Sequence, residues 1–163
     1  MKKIIFVCTG NTCRSPMAAA ILRAKLKKEN IKNVLVDSAG IMVEPNSKTN
    51  TNTILALKNM GIVARVRNAK QLTKNMITKN TLLIPITSAH AQYVKNVAPT
   101  KALCEFSSGI DLPDPYGQSL VEYEKCAKIL SFVCDEIVEL IKKGELYDLS
   151  SERPQWRWKN EIC

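Results

Sequence analysis

Ile4-Ile5-Phe6-Val7-Cys8-Thr9-Gly10-Asn11-Thr12-Cys13-Arg14-Ser15-Pro16-Met17 runs from an apolar stretch through a turn-prone loop into a helix start. Four apolar residues in succession read as a buried strand that ends at Cys8. Ser15 is a good helix N-cap type and Pro16 is tolerated in a first turn, so a helix is expected to open there. Between strand and helix the loop amides can converge on one point, and the helix N-terminus adds partial positive charge. Gly10 and Asn11 are residue types that accept the left-handed backbone such a cradle requires.

The same alternation continues outward. Val34–Val36 reads as a second strand, ending at Asp37-Ser38-Ala39-Gly40. A helix is expected over Thr51–Met60 with Gly61 as its stop. A short helix is expected near Thr73–Thr78. Leu82–Ile86 reads as a third strand, with Pro85 marking a bend or a strand end. Ser88–Val97 reads as a helix and Ala102–Phe106 as a short fourth strand. Leu120–Lys143 carries a long helical pattern with Ile129, Phe132, Val133, Ile137, Leu140 and Ile141 as its core stripe. Strands alternating with helices predict a parallel sheet wrapped by helices, here a three-layer α/β/α fold with four parallel strands. Ligands of such folds sit outside the carboxyl ends of the strands, where Cys8 and its loop fall.

Residues 1–143 carry this pattern, as one domain. Residues 144–163 depart from it, with Trp156-Arg157-Trp158 inside, and read as an extension that either docks on the domain or ends disordered. No apolar run approaches the ~20 residues of a membrane span, and Ile4–Val7 is too short for a secretory h-region, so a cytoplasmic protein without membrane association is expected. The six cysteines do not imply a disulfide framework in a chain of this length without an export signal. None is spaced C-x-x-C, and His90 is the only histidine, so no metal and no cofactor are expected. Cys126 and Cys134 fit a helical pattern as small core residues.

The net charge of +9 is unevenly spread. Residues 1–80 hold 15 Lys/Arg against 3 Asp/Glu, a local net of +12. Such a half either attracts an anionic ligand or is a set of solvated helix backs. No basic stripe interleaves with aromatics, which argues against nucleic acid as a partner.

Arg14, six residues after Cys8, can close the amide ring and grip two phosphate oxygens with its planar fork. The helix terminus and the guanidinium favour the thiolate form of Cys8, placed for attack on phosphorus. The phosphate-binding residues are therefore expected to be Thr9, Gly10, Asn11, Thr12, Cys13, Arg14 and Ser15. Ser15 either hydrogen-bonds the thiolate or stiffens the loop. A Walker loop is excluded, since it ends in Gly-Lys-Ser/Thr and this loop ends Cys-Arg-Ser.

At this point the chain resembles the low-molecular-weight protein tyrosine phosphatase family. The resemblance rests on Cys8 to Ala18, Asp37-Ser38-Ala39-Gly40, Gln71-Leu72-Thr73 and Asp114-Pro115-Tyr116-Gly117, in matching order over about residues 2–143. It implies a phosphatase that acts on a phosphorylated protein and releases inorganic phosphate. Cys8 would form a phosphocysteine, and Asp114 would protonate the leaving group and then act as base for the hydrolytic water. Arg14 and the loop amides would hold the equatorial oxygens. Asp114 also sits between Pro113 and Pro115 on a stiff loop, where Asp111 is its local competitor. The resemblance further assigns loop support to Asn11, Ser15 and Ser38. Many relatives brace the loop with a histidine before Gln71; this chain has Arg67 there.

Thr12 bears on which phosphate is removed. Tyrosine-directed members often carry a bulky aliphatic residue at this position, whereas members resembling the bacterial protein-arginine phosphatases carry threonine. Phosphoarginine is thus favoured over phosphotyrosine, with Tyr116 as a cleft residue able to stack on either group. Thiol-coupled arsenate reduction would need two more redox cysteines near the third strand, and Thr87–Val97 has none. A phosphate-binding module without catalysis is disfavoured because all three reacting groups are present. Cys13 is either a redox partner for Cys8 or a packing residue of the loop. The oligomeric state expected is a monomer.

Overall fold

The computed structural model describes residues 1–107, 109 and 111–146. The expectation for Trp156 and Trp158 lies outside them. The described chain runs β1 (Lys2–Cys8), α1 (Arg14–Lys28), β2 (Val34–Gly40), α2 (Thr51–Asn59), a 3₁₀ turn (Lys74–Met76), β3 (Thr81–Pro85), α3 (Ser88–Val94), a second 3₁₀ turn (Leu103–Glu105) and α4 (Leu120–Lys143). The sheet order is β2-β1-β3, all parallel. None of these helices is long and apolar enough to cross a membrane.

The central strand β1 sorts its side chains by parity, as strand geometry requires. Ile4, Phe6 and Cys8 face the larger core, which α1, α2 and α4 cover through Ile21, Leu22, Leu57, Leu130 and Ile137. Ile5 and Val7 face the opposite side, against Ala39, Leu83 and Val94 of α3. The layers are therefore α/β/α as expected. On α4 the stripe differs from the sequence reading. Tyr123, Cys126, Ala127, Leu130, Val133, Cys134, Ile137 and Val138 are buried, whereas Phe132 is 62% exposed. The buried set keeps 3–4 spacing around small residues, and Cys126, Ala127 and Cys134 let the helix approach α1 closely. Left-handed Gly144 ends α4, and Leu146 folds back into the core.

The fourth strand is not formed among the described residues. Leu83 donates to the Pro99 carbonyl and accepts from the Lys101 N–H, a single parallel bridge centred on Thr100. The next rung on that edge of β3 would need an N–H from Pro85, which has none, so the ladder stops. Residues 103–105 wind into a 3₁₀ turn instead.

Candidate active site

Register places the site. Cys8 pairs with Gly40, so the end of β1 and the end of β2 reach the same sheet edge. The chain then turns through residues 9–13 and enters α1 at Arg14. The cap expected from Ser15 is not the one found: Cys13 is the N-cap, with no side-chain cap bond. By contrast Asn50 caps α2 and Thr87 caps α3. The first amides of α1 are thus left to point at whatever sits over Cys8. Of the two residues expected to be left-handed, only Asn11 is, at φ 56°. A Cβ at Gly10 would meet nothing nearer than the Thr12 hydroxyl at 3.9 Å.

Asn11 braces the loop. Its amide Nδ2 donates to Ser15 Oγ and to Ser38 Oγ, each at 2.9 Å, and its Oδ1 accepts the Lys70 N–H at 2.9 Å. A backbone N–H can only donate, which fixes the orientation of the amide. Ser15 Oγ, already accepting from Asn11, lies 2.8 Å from Cys8 Sγ and 3.5 Å from the Ala39 carbonyl, within hydrogen-bond reach of the sulfur. The Asn11 N–H also donates to Cys8 Sγ at 3.3 Å. The buried sulfur is thus met by a backbone N–H and by a hydroxyl, which hold it at the floor of the loop. Ser15 thus does both things the sequence left open.

Gly40, which closes the Asp37–Gly40 motif, has a role that the residue type alone does not signal. A Cβ there would lie 2.5 Å from the Thr9 carbonyl and 3.1 Å from the Asn11 nitrogen. Close backbone approach requires glycine at this position. Residues 70–72 lie alongside: Gly40 donates to the Lys70 carbonyl and accepts from the Leu72 N–H. Arg67 does not take over the bracing histidine's contact. Its backbone pairs with Thr49, and the Lys70 N–H reaches Asn11 instead.

Arg14 is 7% exposed. It donates from Nη1 to the Leu112 carbonyl at 3.0 Å, and its Nη2 lies 3.6 Å from Asp114 Oδ2. Asp114 also accepts the Tyr116 N–H, and Tyr116 itself is exposed at the rim. Asp111 is used elsewhere: it accepts from the N–H and hydroxyl of Ser88, the first residue of α3. The two aspartates are thus separated by their partners.

His90 is a second residue that sequence reading missed. Its Nδ1 accepts the Thr87 N–H at 3.2 Å, so the neutral ring carries its proton on Nε2 and donates to Thr9 Oγ1 at 2.8 Å. Burial, with Arg14 reinforcing it, lowers its pKa to about 4. A lone histidine gives no sequence signal for such a contact, which depends on how β3 and α3 pack.

Cys13 Sγ lies 3.3 Å from the hydroxyl of buried Tyr123 and 3.5 Å from Thr12 Oγ1. Thr12 is half-buried, and its carbonyl accepts the Asn50 N–H. Burial pushes the Cys126 thiol up to about 11 and the Cys134 thiol up to about 12, which suits core residues. Cys8, Cys13, Cys126 and Cys134 are free thiols.

The family model described as low molecular weight phosphotyrosine protein phosphatase matches residues 3–146. A protein-arginine-phosphatase of Geobacillus stearothermophilus is 35% identical, the match covering 86% of this chain and 96% of that protein. The low molecular weight protein-tyrosine-phosphatase PtpA of Staphylococcus aureus is 29% identical, over 88% and 96%. Among solved structures, a mutant YwlE arginine phosphatase with a phosphorylated active site serine superposes with a TM-score of 0.79 at 30% identity, covering 90% of this chain and 99% of that one.

Proposed function

The chain belongs to the low molecular weight phosphotyrosine protein phosphatase family, and from that starting point we propose that it removes phosphate from phosphoarginine side chains. It is a cysteine-dependent protein phosphatase. In the reaction we propose, Cys8 Sγ attacks phosphorus and the bond to the leaving nitrogen breaks. Arg14 and the amides of residues 9–15 hold the three equatorial oxygens. Asp114 gives its proton to the leaving guanidine nitrogen. Water then attacks the phosphocysteine, Asp114 takes the water's proton, and inorganic phosphate leaves.

Thr12 carries the choice of substrate. It sits in the loop between Cys8 and Arg14, half-buried, with its hydroxyl 3.5 Å from Cys13 Sγ. A small polar wall accommodates a planar, donor-rich guanidinium, whereas an aliphatic wall suits an aryl ring. The 35% identity to a protein-arginine-phosphatase supports the same reading. Likeness to PtpA supports the second one, phosphotyrosine. The partner is then a phosphorylated protein, and the catalytic unit is the single domain ending near residue 143.

Hydrolysis of phosphoarginine and phosphotyrosine by wild type and Thr12→Ile tests the proposal. The substitution is expected to remove phosphoarginine turnover and to keep or raise aryl phosphatase activity. Absence of phosphoarginine turnover by wild type overturns it.

A further inference from the structure

The mechanism uses one cation of a strongly basic N-terminal half. Five others, Arg23, Lys27, Arg65, Arg67 and Lys70, line one cavity of about 480 Å³ between α1, α2 and the 61–70 segment. The only carboxylate in its lining is Asp37. That carboxylate is already engaged by Lys70, by the Ser38 N–H and, at 3.9 Å, by Arg23. Lys27, Arg65 and Arg67 have no carboxylate within 4.0 Å among the described residues. Arg23 is held in place by two hydrogen bonds to the Val36 carbonyl. Burial lowers the pKa of its guanidinium, and the neighbouring charge of Arg67 works in the same direction. The cavity is therefore short of negative charge.

Two more features define what would fit. Ile54, Leu57 and Ile62 add apolar surface to the same lining. The volume lies in the range of small-molecule sites, and the shape is concave. Arg67 adds a further reason. Its backbone N–H is spent on Thr49, and the residue lines this cavity.

We infer that the cavity is a second ligand site, distinct from the Cys8 cradle, for a phosphorylated small molecule with an apolar or planar body. The phosphate lies against Arg23, Arg65 and Arg67, and the body lies on Ile54, Leu57 and Ile62. The lining includes Asn11 and Ser38, whose side chains brace the phosphate loop from the other side. An occupant therefore touches the brace without entering the cradle. The inference does not depend on which phosphate the cradle removes.

The test uses the full chain with its cradle filled by orthovanadate and ADP as the probe. Calorimetric titration is expected to show one equivalent of ADP bound, with affinity falling as salt rises. The Arg65→Ala/Arg67→Ala double variant is expected to weaken ADP binding roughly tenfold or more, the size of one or two lost charged hydrogen bonds. Both side chains are exposed, and vanadate affinity is expected to be unchanged. Lys27→Ala, on α1 rather than on the 61–70 segment, is expected to weaken ADP binding as well, which separates a lost site from a disturbed 61–70 segment. No binding to vanadate-loaded wild type at millimolar ADP, or equal affinity in all variants, overturns the inference.

Discussion

His90 Nε2 lies 2.8 Å from Thr9 Oγ1, so α3 holds the first residue of the phosphate loop from across the sheet edge. The contact ties the loop to an element that also receives Asp111 at its first turn. Loop and acid-bearing segment are thus anchored to the same short helix.

Removing that donor is expected to loosen the loop without abolishing chemistry. His90→Ala should lower kcat roughly threefold to tenfold, which is the size of one hydrogen bond. His90→Gln, whose amide can donate to Thr9, should recover part of the loss. Steady-state kinetics on all three proteins decides it; equal rates would show that Thr9 needs no anchor.

The same histidine makes acid stability distinctive. Its pKa falls from 6.5 to about 4 on folding, through burial first and Arg14 second, against Asp114 and Asp111. Between about pH 4 and 6.5 the unfolded chain then binds the extra proton, so stability rises with pH across that window. The contribution is complete above pH 6.5 and is lost as pH falls towards 4. Thermal melts at pH 7 and pH 4.5 should show a larger drop in Tm for wild type than for His90→Gln. Lys70 and Arg23 hold Asp37 low although burial opposes them, so its own loss comes at lower pH and is common to both proteins.

Asn11 and Gly40 are expected to be the least replaceable supports. Asn11→Ala leaves Ser15, Ser38 and the Lys70 N–H short of a partner and puts a Cβ residue without local hydrogen bonding at φ 56°. A cost of about 2–4 kcal/mol is expected, with kcat down roughly 10–100-fold from misplacement of the loop. Gly40→Ala forces a Cβ to within 2.5 Å of the Thr9 carbonyl, so strand end or loop must shift. Chemical denaturation and kcat together check both; a Gly40→Ala protein with wild-type kcat would contradict the close approach.

What could be read from the sequence follows from where the information is local. The apolar run Ile4–Val7, the loop Cys8–Arg14 and the long pattern Leu120–Lys143 each carry their own signal, and the strand and the long helix are found as read. The fourth strand failed because its fate depends on the missing N–H of Pro85, on a neighbouring strand. Phe132 failed because small residues elsewhere on α4 rotated the buried face. The supports of the loop were legible only where a side chain acts, at Asn11, Ser15 and Ser38. Gly40 acts by having no side chain, Lys70 by its backbone and His90 by tertiary contact, so residue types alone did not reveal them.

Asp111 and Asp114 offer the sharpest separation of roles. They stand three residues apart in one loop, and both are carboxylates that could in principle give a proton. Asp111 is tied to the N–H and hydroxyl of Ser88, where it acts as an anchor for α3. Asp114 has a side chain 57% exposed and stands 3.6 Å from Arg14 Nη2, beside the group that grips the phosphate. Asp114→Asn keeps the Tyr116 N–H bond available but has no proton to transfer at neutral pH. Its turnover of substrates with poor leaving groups is expected to fall roughly 10²–10⁴-fold, the usual contribution of a positioned general acid. The fall should be smaller for p-nitrophenyl phosphate, whose leaving group needs little protonation. Asp111→Asn should leave the leaving-group dependence at the wild-type value and cost about 0.5–2 kcal/mol of stability through the loosened first turn of α3. Measuring kcat/KM against leaving-group pKa for both variants distinguishes them. A steepened slope in Asp111→Asn with an unchanged one in Asp114→Asn would exchange the two assignments.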